Sequence, residues 1–212
     1  MKIIKPSVEF VTPVDGKVIL SRIEEIEECG RVCYKSEHKI AEGSAEKFCR
    51  GLIRRGHEAV LEHCSFTLRF ICDRGVSHEI VRHRLAAYCQ ESTRYCNYSM
   101  GQFEGQITVI EPCYLIPNTE AYVTWQTACM MAETCYFNLL NFGLTPQEAR
   151  AVLPNSLKTE VVMTANIREW RHFFKLRCSP AAHPQMREVV TQALEMCREK
   201  IPILFDDIVF EI

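Results

Sequence analysis

The twelve cysteines of this 212-residue chain form no Cys-X-X-Cys pair and are scattered from Cys29 to Cys197. That spread excludes zinc-finger spacing and argues against the disulfide scaffold of a short secreted domain. Most of these residues sit in apolar neighbourhoods, as reduced cysteines that pack like small hydrophobes do. The leading MKIIKPSVEF holds too short an apolar run for a secretory signal, and no segment approaches the ~18 apolar residues of a membrane span. A strong field of either sign is missing as well. The formal net charge is −2, so an anionic ligand must be drawn by local arginines, and a general nucleic-acid coat is disfavoured. Internal repeats, low-complexity runs and linkers are absent. The expectation is a cytoplasmic protein with free thiols and one domain over residues 1–212, with neither a membrane nor a nucleic-acid polymer as partner.

What is present predicts a mixed α+β fold. Residues 3–12 are β-rich and end at Pro13-Val14-Asp15-Gly16; Pro6 has no N–H for a ladder, so an edge strand is expected. Apolar positions 19, 20, 23 and 26 predict a helix over Ile19–Cys29 that Gly30 stops. A second helix is expected over Gly43–Arg55, closed at Gly56. Residues 64–72 alternate Ser65, Thr67 and Arg69 against Phe66, Leu68 and Phe70, the pattern of a half-buried strand. After a turn at Asp73–Gly75, Ser77 is expected to cap a helix carrying Glu79, Ile80, Arg82, His83 and Arg84. A strand at 107–112 precedes a long helix over Glu120–Phe142, with Trp125, Ala128, Ala132, Cys135 and Leu139 near one face. Thr145, Pro146 and Glu148 then open a short helix in capping-box fashion. Leu157–Ala165 is β-rich, Ile167–Leu176 is a helix dense in Arg, His and aromatics, and Pro184–Lys200 is amphipathic around Met186, Val189, Val190, Ala193 and Cys197.

Lysine is missing altogether from Arg82 to Tyr95, RHRLAAYCQESTRY, although the stretch carries three arginines. Arginine is favoured over lysine where a planar fork grips phosphate or carboxylate oxygens, which points to an anion-binding segment over a solvated helix end. Two residues apart on a helix, Arg82 and Arg84 would diverge by about 200°. Unless the helix ends there, they would face two ligands or two subunits. Histidine pairs 57/63 and 78/83 lack the i, i+4 spacing of a helical zinc site, so no metal is expected. Arg168, Arg171 and His172 are spaced to share a helix face. Arg150 alone reads as a surface residue.

Arg82-His83-Arg84, then Ser92, then Arg94-Tyr95 resembles the signature of the flavin-dependent thymidylate synthases. GHEAVLEH upstream, and EARAVLP and TANIREWRHFFKLR downstream, resemble that family's other segments in the same order, covering about Gly30 to His183. The resemblance implies a mostly antiparallel central sheet flanked by helices, and a homotetramer whose active sites are built from several subunits. It implies reductive methylation of dUMP to dTMP, with 5,10-methylenetetrahydrofolate as carbon donor and NADPH as reductant through bound FAD. Carried over by position, Cys33, His57, Ala59, Glu62, Arg82, His83, Arg84, Gln90, Asn166, Ile167, Arg168 and His172 match flavin positions. Glu79, Arg82, Gln90, Ser92, Arg94, Arg150 and Arg177 match the dUMP site. Arg94 and Arg150 would hold the phosphate with Ser92, while Arg177, as the catalytic residue, would face the uracil carbonyl and N3 edge and stabilise charge developing on the base. Ser92 has no His or Lys beside it in sequence, so it reads as a ligand contact and not a nucleophile.

Some positions depart from the family pattern. Ala59 stands where Thr is common, Gln90 where Glu is frequent, Cys89 for Asn, Ala87 for Ser, and His172 for an Asn of some members. None removes the arginine framework. The rival reading is a catalytically silent nucleotide- and flavin-binding regulator of the same fold.

Overall fold

In the computed structural model, which describes residues 1–210, the chain sorts into two compact units that interleave in sequence. The first comprises Met1–Ser7, Phe70–Arg82 and Tyr88–Val162; the second comprises Val8–Arg69, His83–Ala87 and the chain from Met163 onward. Helices and strands mix throughout, as the sequence patterns require.

The expected edge strand over residues 3–12 is split by Lys5-Pro6 into β1 (Lys2–Ile4) and β2 (Ser7–Phe10). β1 pairs in parallel with β5 (Thr108–Ile110), setting Ile3 opposite Val109. β2 lies at one edge of a mostly antiparallel four-stranded sheet that continues through β3 (Ser65–Asp73), β6 (Lys158–Asn166) and β4 (Ala86–Gln90). β3 and β6 alternate buried and half-exposed side chains along most of their length; the alternation was read for β3, while β6 was recognised by its β-rich composition. β4 was not, because Arg82 to Tyr95 reads as one polar segment.

In the first unit, Tyr98, Ile107, Val109, Cys129, Tyr136, Ala149 and Leu157 form one buried cluster. The long helix α4 (Glu120–Asn141) enters it through Cys129 and Tyr136. Ala128 and Cys135, expected on the packed face, are exposed. Trp125 and Leu139 do pack against the cluster as expected, so the packed stripe keeps its two ends and runs through Cys129 and Tyr136 in place of Ala128 and Cys135. α3 (Arg74–Ile80) differs more from expectation. Its N-cap is Asp73, whose Oδ1 accepts from Val76 N–H at 2.8 Å, so no turn separates it from β3. Ser77, expected as the cap, is buried inside the helix and donates to the Arg74 carbonyl at 2.9 Å. The helix also stops at Ile80, before the three residues that were expected to prolong it.

In the second unit, α1 (Gly16–Val32) passes through Gly30 instead of ending there. Gly30 has a packing role: a Cβ at that position would lie 2.6 Å from the Phe48 ring. α2 (Ser44–Arg54) begins and ends as expected, with Gly56 in the left-handed region at φ +69°. α6 (Ile167–Arg177) stacks Trp170 on Phe66 at 4.9 Å and sets Phe174 against Phe205 of α8 (Pro202–Phe205), a short helix that sequence periodicity missed. α7 (Pro184–Lys200) buries Met186, Val189, Val190, Ala193 and Cys197, the stripe its periodicity predicted.

Candidate functional site

The first unit gathers the anion-binding side chains. Ser77, pointing inward from α3, accepts a hydrogen bond from Gln90 Nε2 at 3.0 Å, and Thr159 Oγ1 lies 3.2 Å from the same nitrogen. Two anchors thus fix the end of β4. The chain then turns: the Ser92 carbonyl accepts from Cys96 N–H at 2.9 Å, and Ser92 Oγ accepts from Arg94 N–H at 3.3 Å. Thr93 between them is buried, and its Oγ1 accepts from Arg150 Nη1 at 3.2 Å. Arg150 reaches it from the end of α5 (Pro146–Ala149), a helix opened by the expected capping box, with Glu148 Oε2 accepting from Thr145 N–H at 2.8 Å. Arg94 stays exposed, its guanidinium 5.4 Å from the Tyr95 ring centre. The fold therefore brings the Arg150 guanidinium onto the Thr93 hydroxyl within the turn that carries Ser92 and Arg94, although 57 residues separate Thr93 from Arg150. The Arg150–Thr93 contact gives that lone arginine a partner sequence reasoning lacked. Thr93, inside the Ser92–Arg94 motif, was passed over because it carries no charge.

Glu79 lies in the last turn of α3, and its carbonyl accepts from Arg82 N–H at 3.2 Å. Since the helix ends at Ile80, the 200° helical divergence of Arg82 and Arg84 does not arise; both are exposed on the non-helical segment that follows. Nearby, Lys158 Nζ bonds Glu91 at 2.9 Å and Glu160 at 2.6 Å, which offsets one of the two negative charges there.

The second unit holds the residues expected to meet flavin apart from Arg82 and Gln90, which lie in the first. A cavity of about 590 Å³ is lined by Glu62, Leu85, Asn166, Arg168 and His172, together with Glu58, Glu169 and Lys175, which sequence reasoning did not single out. Asn166 caps α6, its Oδ1 accepting from Glu169 N–H at 2.9 Å, and this cap sets Arg168 and His172 on the exposed side. Arg168 Nη1 bonds Glu62 at 2.5 Å. Ile167 is buried and its N–H bonds the Cys64 carbonyl, so its side chain serves packing. Arg171 does not share their face. It is buried, forks onto Asp207 at 2.7 and 2.6 Å, and also donates to the Leu204 carbonyl. A second cavity, about 640 Å³, brings together Cys33, His57 and Ala59 with Tyr34 and Phe48. Arg84 is exposed beside buried His83.

His83 is the most constrained of these side chains. Its Nδ1 lies 3.0 Å from Glu169 Oε1, and its Nε2 lies 3.0 Å from Arg177 Nε. The Phe173 ring meets it edge-on at 4.8 Å. Burial holds its pKa below the ordinary value, and the positive charges of Arg177 and His172 act in the same direction against the pull of Glu169. His83, Glu169 and His172 place ligand-type atoms within 4.8 Å of one another. Arg177 and Glu169 occupy both ring nitrogens of His83, however, so the cluster is built as a hydrogen-bond chain.

The second unit's cavities are large enough for parts of a flavin nucleotide. In the first, Arg168 and Lys175 are faced by Glu58, Glu62 and Glu169, so a pyrophosphate there would have to draw Arg168 off Glu62; in the second, Tyr34, Phe48 and Leu52 offer apolar walls for a flat ring.

An arginine–hydroxyl turn in the first unit, and cavities lined by charged and aromatic side chains in the second, are features of the kind that hold nucleotides. The comparisons narrow this. Residues 20–203 match the family model described as thymidylate synthase complementing protein. The flavin-dependent thymidylate synthase of Pyrococcus furiosus is 37% identical over 76% of this chain and 66% of its own length, so that match spans just under two thirds of the relative. The Mycolicibacterium gilvum protein of the same description is 32% identical over 98% of this chain and 85% of its own. A crystal structure of a UMP/dUMP methylase, PolB, from Streptomyces cacaoi bound with 5-Br dUMP has a similar fold. Its TM-score is 0.76 at 22% identity, covering 97% of this chain and 96% of that one. This chain belongs to the flavin-dependent thymidylate synthase family.

Proposed function

We propose that the protein catalyses reductive methylation of dUMP to dTMP, with 5,10-methylenetetrahydrofolate as carbon donor, NADPH as reductant and FAD as the bound flavin. The observation that carries the reading is the turn at Ser92–Arg94 with Arg150 brought onto Thr93, an arrangement suited to a phosphate dianion. Ser92, Arg94 and Arg150 would bind that phosphate; Glu79, Arg82 and Gln90 would complete the nucleotide set. Arg177 is assigned to the uracil carbonyl and N3 edge, where a held guanidinium stabilises negative charge as C5 becomes nucleophilic. Cys33, His57, Ala59, Glu62, His83, Arg84, Asn166, Arg168 and His172 are assigned to the flavin, with Arg82 and Gln90 contributing to both sets. Bound flavin supplies the reducing equivalents. The residues here bind, orient and exclude water.

The working form is proposed to be a homotetramer with shared active sites. A cytoplasmic setting fits twelve cysteines of which none forms a disulfide among the described residues, and among those residues no helix is long and apolar enough to cross a membrane.

The test is direct. Purified protein should be yellow, oxidise NADPH faster with dUMP present, and transfer label from methylenetetrahydrofolate to dTMP. Flavin and dUMP binding without label transfer would identify the silent regulator instead. A colourless protein that cannot be reconstituted with FAD would end the proposal.

A further inference from the structure

The chain Glu169–His83–Arg177 has a fixed direction. Arginine only donates, so the 3.0 Å contact from Arg177 Nε requires an unprotonated Nε2 on His83. The neutral ring must then carry its proton on Nδ1, where it is donated to Glu169 at 3.0 Å. Nothing about this ring is loosely held. His83 is 5% exposed and Glu169 7%, and Phe173 packs edge-on against the imidazole. Glu169 comes from the first turn of α6 and Arg177 from its last residue, so one helix carries both ends of the chain and His83 links them.

We propose that Glu169 is a positioning residue for the reaction: by accepting from His83 Nδ1–H it selects the tautomer whose Nε2 holds the Nε edge of the Arg177 guanidinium. This rests on the reading that Arg177 acts on the uracil. Glu169 does not touch the substrate; it acts through His83. Without the carboxylate, the imidazole loses its reason to keep the proton on Nδ1. With the proton on Nε2, two donors face each other and the guanidinium is released. Protonation of His83 has the same effect, and burial, Arg177 and His172 all oppose it, which keeps the ring neutral and the chain intact near neutral pH.

Two variants of the flavin-loaded enzyme test this. Glu169→Ala removes the acceptor; kcat should fall roughly 10- to 100-fold, the range of a mismatched buried donor, while KM for dUMP stays within about threefold. Glu169→Gln keeps an acceptor for Nδ1–H and should restore most of kcat. It also removes the charge of Glu169 that pulls the His83 pKa up, so the acid limb of the kcat profile should move to lower pH. A merely structural role would not move that limb. Flavin absorbance and the thermal midpoint check folding; if Glu169→Ala is unstable, the Glu169→Gln profile alone decides. An unmoved acid limb in Glu169→Gln, or unchanged kcat in folded Glu169→Ala, overturns the proposal provided that Arg177→Ala is impaired. Full activity in Arg177→Ala would instead overturn the assignment of Arg177.

Discussion

Replacing Arg150 by methionine isolates the phosphate interaction, because Met keeps most of the side-chain volume and removes the charge. In the structure Arg150 is exposed, and the one described hydrogen bond of its side chain goes to Thr93. A guanidinium about 4 Å from a phosphate charge is worth roughly 1 kcal/mol in bulk water and about 4 kcal/mol at an effective dielectric of 20. A solvent-facing turn lies between these limits. Hydrogen bonds to charged groups bring about 1.5–3 kcal/mol, and the upper part of that range is reduced here by screening and by loss of the Thr93 contact. The expected loss is therefore roughly 2 kcal/mol, about 30-fold in Kd. Titration calorimetry of Arg150→Met against dUMP should read that weakening, and the gap from wild type should narrow as salt is raised. Deoxyuridine supplies the control: lacking the phosphate, it should bind the two proteins alike. Equal losses for dUMP and deoxyuridine, or a dUMP affinity within twofold of wild type, would refute the assignment of Arg150 to the phosphate.

Arg177→Ala should raise the barrier by about 2–5 kcal/mol, measured as kcat/KM for dUMP, and unchanged turnover would remove the residue from catalysis. Arg171→Met should leave flavin binding intact but lower unfolding free energy by about 3 kcal/mol in urea titrations, since Leu204 and Asp207 lose a buried donor. Burial raises the Asp207 carboxyl, but the bonds and charge of Arg171 outweigh it and hold its pKa below the ordinary value. That stabilisation is therefore complete above the unfolded carboxylate pKa near ~4 and lost as pH falls through the lower folded value, so Asp207→Asn should flatten the acid side of the stability curve. Gly30→Ala pushes a methyl into the Phe48 ring, which also lines the cavity with Cys33 and His57. It should weaken flavin retention, read by equilibrium dialysis, with a stability change of only about 1 kcal/mol.

Periodic elements were legible in the sequence because burial there follows a simple repeat: β3 and α7 place nearly every side chain where alternation or helical spacing puts it. Elements decided by a tertiary partner were not. Gly30 looks like a helix stop until Phe48 lies against it, and Ser77 looks like a cap until Gln90 donates to it. Arg171 shows the limit within the candidate site. Its spacing matched Arg168 and His172, but the carboxylate and carbonyl that claim it lie more than 30 residues further on. The arginines of the turn were recognisable by motif, whereas Thr93 and Glu169 needed coordinates, because neither carries a signal apart from the group it bonds.

The interleaving of the two units bears on how the molecule is made. Trp170 donates its indole N–H to the Phe66 carbonyl across 104 residues, and the second unit draws its core from both early and late parts of the chain. During synthesis α1 and α2 leave the ribosome long before Trp170, Phe173 and Phe174, so Phe66 and its neighbours wait without their aromatic partners while more than a hundred residues are added. Such long-range pairing slows folding and prolongs exposure of apolar surface. Low-temperature expression or chaperone supply should therefore raise the soluble yield more than stabilising any single helix would.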